Sequence, residues 1–412
     1  MNNAIEIIKQ AENDLKPQFT EIECIRDFNQ EKVLQAFIDN RVAPEHFYTV
    51  SGYGHDDLGR EVLDKVFAQV FRAQSALVRV HFVSGTHTLA CALFGNLKSG
   101  DKLLSVAGAP YDTMQEVIGT MGDKITKESS LIGSGVLYEE VPLKNASDVD
   151  FDGILNKVDT DTAMVLIQRS KGYSTRKSLS IDEIGQICKI VKSKNPNCIC
   201  FVDNCYGEFV EEKEPIEVGA DLIGGSLIKN AGGGIVEAGG YIAGRKDLVE
   251  KSAIRLTAPG IGMDGGAMFN QHRLMFQGLF MAPSVVADAV KGVVLASRIF
   301  DEIGYNSAPK YYEKRTDIIQ NITFGKPELL EEFCRTIQSL SPVNGYVTPI
   351  PENIPGYEDK VIMAGGTFIE GSTIELSADG PMREPYVAYL QGGLNYSHVK
   401  IALKRFLEQL EI

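Results

Sequence analysis

The chain has 412 residues, 44% of them apolar, a formal net charge of −14 and seven cysteines. That length and apolar content suffice for a large core and predict two domains, while the negative charge, with no run of lysines or arginines, argues against a nucleic-acid partner. No uninterrupted apolar stretch reaches the length of a membrane span, residues 1–15 carry polar groups where a leader peptide would be apolar, and the odd number of scattered cysteines argues against a disulfide framework; a reduced, cytoplasmic protein without membrane contact is expected.

Two amphipathic helical patterns, at 4–15 and 28–41, precede a glycine-rich turn, Ser51-Gly-Tyr-Gly54, and predict an N-terminal helical arm over residues 1–50. From residue 57 onward, strands predicted at 77–83, 102–106, 136–141, 163–168, 198–203, 222–226 and 240–243 alternate with helical periods. The clearest of these periods is 180–194, with Ile181, Ile184, Ile187, Cys188 and Val191 on one face. Alternation of this kind predicts a large α/β domain over 51–285, its mostly parallel sheet covered on both sides by helices. A long helical stretch at 284–303 then leads into a smaller α+β domain, 286–412, with strands at 361–368 and 373–376 and a terminal helix at 396–410.

Ligands of open α/β sheets sit beyond the carboxyl ends of the strands, and three pieces of chemistry fall there. At Ser84-Gly85-Thr86-His87 a strand stops and a helix begins, so the free amides and the Ser84 and Thr86 hydroxyls could hold a phosphate dianion; a plain N-cap gives the same pattern. Asp203 closes the apolar run Cys198-Ile-Cys-Phe-Val-Asp203, and its alternative is an acid capping the next turn. Lys229 follows in Gly225-Ser-Leu-Ile-Lys-Asn230 before a run of small residues, with Ser226 three positions earlier; taken alone it is one more surface lysine. Together, an acid for a pyridine nitrogen and an amine for an aldehyde are what pyridoxal phosphate requires, and a Schiff-base lysine calls for a pKa depressed by burial and neighbouring cations. Cys198 and Cys200 alternate on a strand without a nearby histidine, so no metal is expected. Ser226-Leu-Ile-Lys229 also fits an S-x-x-K acyl-enzyme pattern, but the companion signatures are absent, and no dinucleotide or triphosphate loop is present.

Several segments occur together in order: Ser51-Gly-Tyr-Gly-His-Asp-Asp-Leu-Gly-Arg60, Ser84-Gly-Thr-His87, Gln168-Arg-Ser-Lys-Gly-Tyr173, Val202-Asp-Asn-Cys-Tyr-Gly207, Gly225-Ser-Leu-Ile-Lys-Asn230, Gly239-Gly-Tyr-Ile-Ala243 and Ala258-Pro-Gly-Ile-Gly262. On these the chain resembles, over nearly its whole length, the methionine gamma-lyase-like branch of the fold type I pyridoxal phosphate enzymes of cysteine and methionine metabolism. This branch is also called aluminium resistance protein or cystathionine beta-lyase family protein. The resemblance implies the aspartate aminotransferase-type fold with a seven-stranded sheet, and a carbon–sulfur lyase acting on a sulfur-containing amino acid. It implies that Lys229 forms the Schiff base, Asp203 pairs with the pyridine nitrogen, Ser84, Gly85, Thr86 and Ser226 seat the phosphate, and Tyr111 lies over the ring and protonates the departing thiolate. A homodimer or homotetramer is implied as well, with Tyr53 reaching a neighbouring site and Arg60 a further candidate for that phosphate. The relatives' Pro-rich, Asn-containing loop is replaced by Gln168-Arg169-Ser170-Lys171, which leaves open the partner of the ring hydroxyl. The arginine for the substrate carboxylate has no clear counterpart, and Arg383 is the candidate. Another pyridoxal phosphate reaction, such as transamination or aldol cleavage, and a non-catalytic cofactor-binding protein are the alternatives.

Overall fold

The computed structural model describes residues 2–354 and 359–410. Seven strands, β1 (Ser75–Arg79), β2 (Lys102–Ser105), β3 (Leu137–Glu140), β4 (Thr162–Gln168), β5 (Ile199–Asp203), β6 (Leu222–Ser226) and β7 (Gly240–Gly244), form one sheet in the order β1-β7-β6-β5-β4-β2-β3. Only β7 runs against its neighbours; the pairs β6–β5, β5–β4, β4–β2 and β2–β3 are parallel. The central strands β5 and β6 are buried almost throughout, which explains why they read as apolar runs and not as alternating ones.

Helices cover both faces. Ile181–Lys194 begins with a capping box between Ser180 and Glu183 and buries the expected stripe, Ile181, Ile184, Ile187, Cys188 and Val191. Each of the isoleucine and valine side chains among them contributes roughly 1.5–3 kcal/mol by leaving water. On the other face Gly85–Asn96 lies so close to Lys246–Leu256 that a Cβ at Gly95 would stand 2.8 Å from the Lys251 carbonyl oxygen.

The second sheet is antiparallel throughout: β8 (Asn306–Ala308), β9 (Ile319–Thr323), β10 (Val361–Ala364), β11 (Ser377–Pro381) and β12 (Val387–Gln391), ordered β10-β11-β12-β9-β8. Four of these strands, β8, β9, β11 and β12, lie outside the predicted ones, and residues 373–376 precede β11 instead of forming a strand. An aromatic cluster, Phe300, Phe324, Phe333 and Phe406, fills the space between this sheet and its helices, with Phe333 and Phe406 edge to face at 5.0 Å.

Three further elements differ from the sequence expectation. The arm is two helices, Asn2–Asp14 and Lys16–Asp39, the second continuous through residues 16–27 because Pro17 occupies its first turn, where a missing N–H costs nothing. Strand β1 stops at Arg79, several residues before Ser84, so the phosphate-type turn is longer than expected. Finally, His272–Glu302 is one helix, with Pro283 inside it and residue 285 well within its span. It is long and apolar enough by length and composition to cross a membrane, but 72% of its most apolar window is buried in the protein, the mark of a core helix.

Candidate active site

The carboxyl ends of β4, β5 and β6 lie side by side and present Gln168, Asp203 and Ser226; Gln168 pairs with Asp203 in register, and Asp203 with Gly224. The chain then turns from Ser226 to Lys229, whose amide donates to the Ser226 carbonyl at 3.4 Å. Behind Lys229 the backbone doubles back so tightly that a Cβ at Gly232 would stand 1.6 Å from the Leu227 oxygen. Small residues at 231–234 are thus required to aim the lysine into the crevice.

Asp203 is 6% exposed and accepts from the Cys205 amide at 3.1 Å. Burial pushes its carboxyl up, and the facing Lys229 ammonium opposes this. On Lys229 burial works against the charged form, but the surrounding acidic groups, the Asp203 carboxylate among them, more than offset it and hold the amine above the ordinary lysine range. The expected depression by neighbouring cations is therefore reversed: the groups facing this amine are acids and aromatics.

Tyr111 caps the helix Asp112–Ile118 and is fixed twice, its amide donating to Gln168 Oε1 at 3.0 Å and its phenol bonded to Thr86 Oγ1 at 3.2 Å. Burial, with Asp203 and Cys205 adding to it, pushes the phenol well above the usual tyrosine range, so it remains a donor at neutral pH. Thr86 in turn contacts Thr113 Oγ1 at 3.1 Å. Ser84 caps its helix, its hydroxyl accepting the His87 amide at 3.1 Å, while its carbonyl takes the Thr88 amide. Gly85 and Thr86 are then the first residues of the helix, whose amides have no partner within it. A Cβ at Gly85 would stand 3.2 Å from Ser226 Cβ and 3.7 Å from Cys205 Sγ, which places this helix start directly against Ser226 and the Asp203 turn.

Lys229, Asp203, Tyr111, Thr86, Gly85 and Ser226 thus come together. Tyr53 and Arg383 do not join them. Tyr53 is 82% exposed on a loop pinned by its own carbonyl to the Gly266 amide. Arg60, considered for the phosphate, is spent on that loop: its guanidinium donates to the carbonyls of Gly54, Gly266 and Asp264 and is buried. Arg383 lies between β11 and β12, its side chain 59% exposed and paired with Asp359 at 3.3 Å; its charge also acts on Asp112, next to Tyr111.

The segment after β4 is fully engaged in structure. Gln168 bonds Tyr111 and Ser170, Arg169 is buried against Asn204 and Glu211, and Ser170 donates to Asp317. Sequence reasoning missed two residues of the site, Cys205 and Tyr206, although both stand within three positions of Asp203. The Lys229 amine lies 4.1 Å from the centroid of the Tyr206 ring.

A methionine gamma-lyase family profile matches residues 4–411. The uncharacterized Bacillus subtilis protein YnbB is 47% identical over 401 residues, 97% of this chain and 95% of that protein. The structure of a Clostridium novyi protein described as a carbon-sulfur lyase involved in aluminum resistance is 49% identical, with a TM-score of 0.95 over 100% of this chain and 96% of that one. A Listeria monocytogenes structure, described as a candidate cystathionine beta-lyase involved in aluminum resistance, is 47% identical with a TM-score of 0.96, covering 98% of this chain and 99% of the other. At 17% identity, the pyridoxal-5'-phosphate dependent protein YhfS of Escherichia coli superposes with a TM-score of 0.61 over 94% of this chain and 97% of its own, which identifies the fold as fold type I. The chain belongs to the methionine gamma-lyase family.

Proposed function

We propose that this protein is a pyridoxal phosphate-dependent carbon–sulfur lyase that removes a thiol from a sulfur-containing amino acid, leaving a keto acid and ammonia. The observation that carries this reading is the convergence of a buried amine, Lys229, and a buried carboxylate, Asp203, beneath a phenol that remains protonated. The residues fit the cofactor. The bare Cα of Gly85 leaves room against Ser226, and the Gly85 and Thr86 amides with the Ser226 hydroxyl are donors suited to a phosphate at a helix N-terminus. The Ser84 hydroxyl, occupied as a cap, shapes that seat by fixing the first turn.

Asp203 would hold the pyridine nitrogen and Lys229 would bond the aldehyde; when bound, the cofactor supplies an electron sink for a bond breaking at the substrate α-carbon. The remaining work falls to side chains of this chain. Lys229 Nζ moves the α-proton, and Tyr111 Oη donates a proton to the departing sulfur. Arg383, which lies outside the cluster but whose charge acts on Asp112 beside Tyr111, would take the substrate carboxylate through its guanidinium fork. Tyr53, exposed on its loop, would complete the phosphate seat of a second copy in a homodimer or homotetramer; a monomer fully active at high dilution contradicts that role.

The test is borohydride reduction of the purified protein, followed by locating the pyridoxyl group and by assaying keto acid from cystathionine, cysteine and methionine. A yellow species, a label on Lys229 and keto acid release are expected. A colourless protein, or a label on another lysine, overturns the proposal.

A further inference from the structure

Tyr206 is 6% exposed, yet its backbone is left-handed, at φ +68°, a conformation that costs a bulky non-glycine residue free energy. That conformation turns the ring face toward Lys229, whose Nζ lies 4.1 Å from its centroid. The hydroxyl reaches the small domain, where it donates to the Ser372 carbonyl at 3.3 Å and accepts from Gln391 Nε2 at 3.4 Å, and it also lies within reach of the Lys229 amine. Gln391 is the last residue of β12 and is itself buried. Two further bonds tie the same places together: the Ile374 amide donates to the Ile228 carbonyl at 3.3 Å, and the Gly393 amide to the Ile374 carbonyl at 2.7 Å. One tyrosine thus touches the reactive amine with its face and the small domain with its edge.

We propose that Tyr206 is a positioning residue for the Lys229 amine, its ring face holding the ammonium and its hydroxyl tying that position to segment 371–375 and Gln391 of the small domain. This rests on the assignment of Lys229 as the reacting amine, but its test does not need lyase activity. A cation over an aromatic face in a desolvated site gains stabilisation that corresponds to about one pH unit or somewhat more in the titration of the amine. Burial and the facing acids act on Lys229 as well, so the ring is one contributor among several and its removal shifts the titration without abolishing it.

The test is the pH profile of Lys229 acylation in cofactor-free protein, with the modified residue quantified by peptide mapping, for native protein, Y206F, Y206N and Y206L. Asparagine suits the left-handed backbone, and leucine keeps apolar bulk, so two independent ringless variants are available. Both are expected to acylate Lys229 with a midpoint about one unit lower, whereas Y206F, which keeps the ring face and loses only the hydroxyl contact, shifts by less. Y206F also loses the hydroxyl bonds, and faster amide hydrogen exchange is expected at 371–375 and 391–393. An unmoved midpoint in the ringless variants, a midpoint in Y206F that moves as far as theirs, or unchanged exchange in Y206F overturns the proposal. Failure of both ringless variants to fold overturns it as well, because Tyr206 is then a folding requirement. A borohydride label on another lysine would instead overturn the functional assignment and leave this titration result standing.

Discussion

Replacing Asp379 by asparagine is expected to remove a pH-dependent penalty at the junction of the two domains. Asp379 lies in β11, 4% exposed; its carboxylate accepts the Tyr173 hydroxyl at 2.6 Å and the Ala364 amide at 3.2 Å. Burial pushes its carboxyl from 3.8 up to about 6, against the opposing effect of those two bonds. The folded protein therefore binds a proton here more tightly than the unfolded chain, and stability falls as the pH rises from near 4 through 6 and levels off above that. A shift of about two units corresponds to a loss of about 2.5 kcal/mol over this window. The substituted asparagine does not titrate, and its amide can donate to the Tyr173 oxygen while its carbonyl accepts from Ala364. Other acids titrate in both proteins and cancel in the comparison. Urea unfolding of the D379N variant and the native protein, followed by far-ultraviolet circular dichroism because the chain has no tryptophan, should show the difference moving in the variant's favour by about 2.5 kcal/mol between pH 4 and 7. A difference that stays flat, or moves toward the native protein, refutes the reasoning.

Two substitutions probe the site itself. Tyr111→Phe keeps the ring but removes the hydroxyl bonded to Thr86; if the phenol protonates the leaving sulfur, keto acid release should fall by about 10²- to 10⁴-fold with the bound-cofactor spectrum unchanged, and turnover within a few-fold of native rules the phenol out as that donor. Gly85→Ala places a Cβ 3.2 Å from Ser226 Cβ, a contact tight enough that the phosphate seat must shift; overpacking of roughly 1–3 kcal/mol would weaken cofactor retention about tenfold or more in equilibrium dialysis, and native retention would remove Gly85 from the seat.

Much of the large domain could be read because its strands report on themselves. β5 is an apolar run ended by an acid, and β6 an apolar start ended by a hydroxyl, so the burial that makes these strands also marks where polar chemistry begins. The small domain offers no such contrast. Ser377-Ala-Asp-Gly-Pro381 has the composition of a turn, yet it is β11, between β10 and β12, because Asp379 finds Tyr173 and Gly380 permits the approach of Leu330 Cδ1, 2.7 Å from where its Cβ would stand. β9 carries Gln320 and Asn321, both buried with partners distant in sequence or across a turn, which breaks the expected alternation. Tyr206 was hidden for a different reason: its sequence neighbours gave no sign that its backbone would be left-handed, and the backbone decides which way its ring faces. Arg60 was misread by proximity, since an arginine near a glycine turn serves backbone carbonyls as readily as a phosphate.

These interdomain bonds bear on how the site can work. Gln168 fixes Tyr111, and five residues later Tyr173 is bonded to β11 of the small domain. Lys229 lies against Tyr206, which is bonded to Ser372 and Gln391, and Ile228 accepts from Ile374. The proposed base thus stands on a large-domain loop fastened to the small domain, and the proposed acid is held by Gln168, whose following segment is fastened to the same small domain through Tyr173. Hydrogen bonds of this kind contribute about 0.5–1.5 kcal/mol each, so the set amounts to a few kcal/mol. That is within the range by which a ligand shifts a two-state equilibrium through its differential contacts. A substrate that reaches both Lys229 and Arg383 would supply contacts on both domains at once.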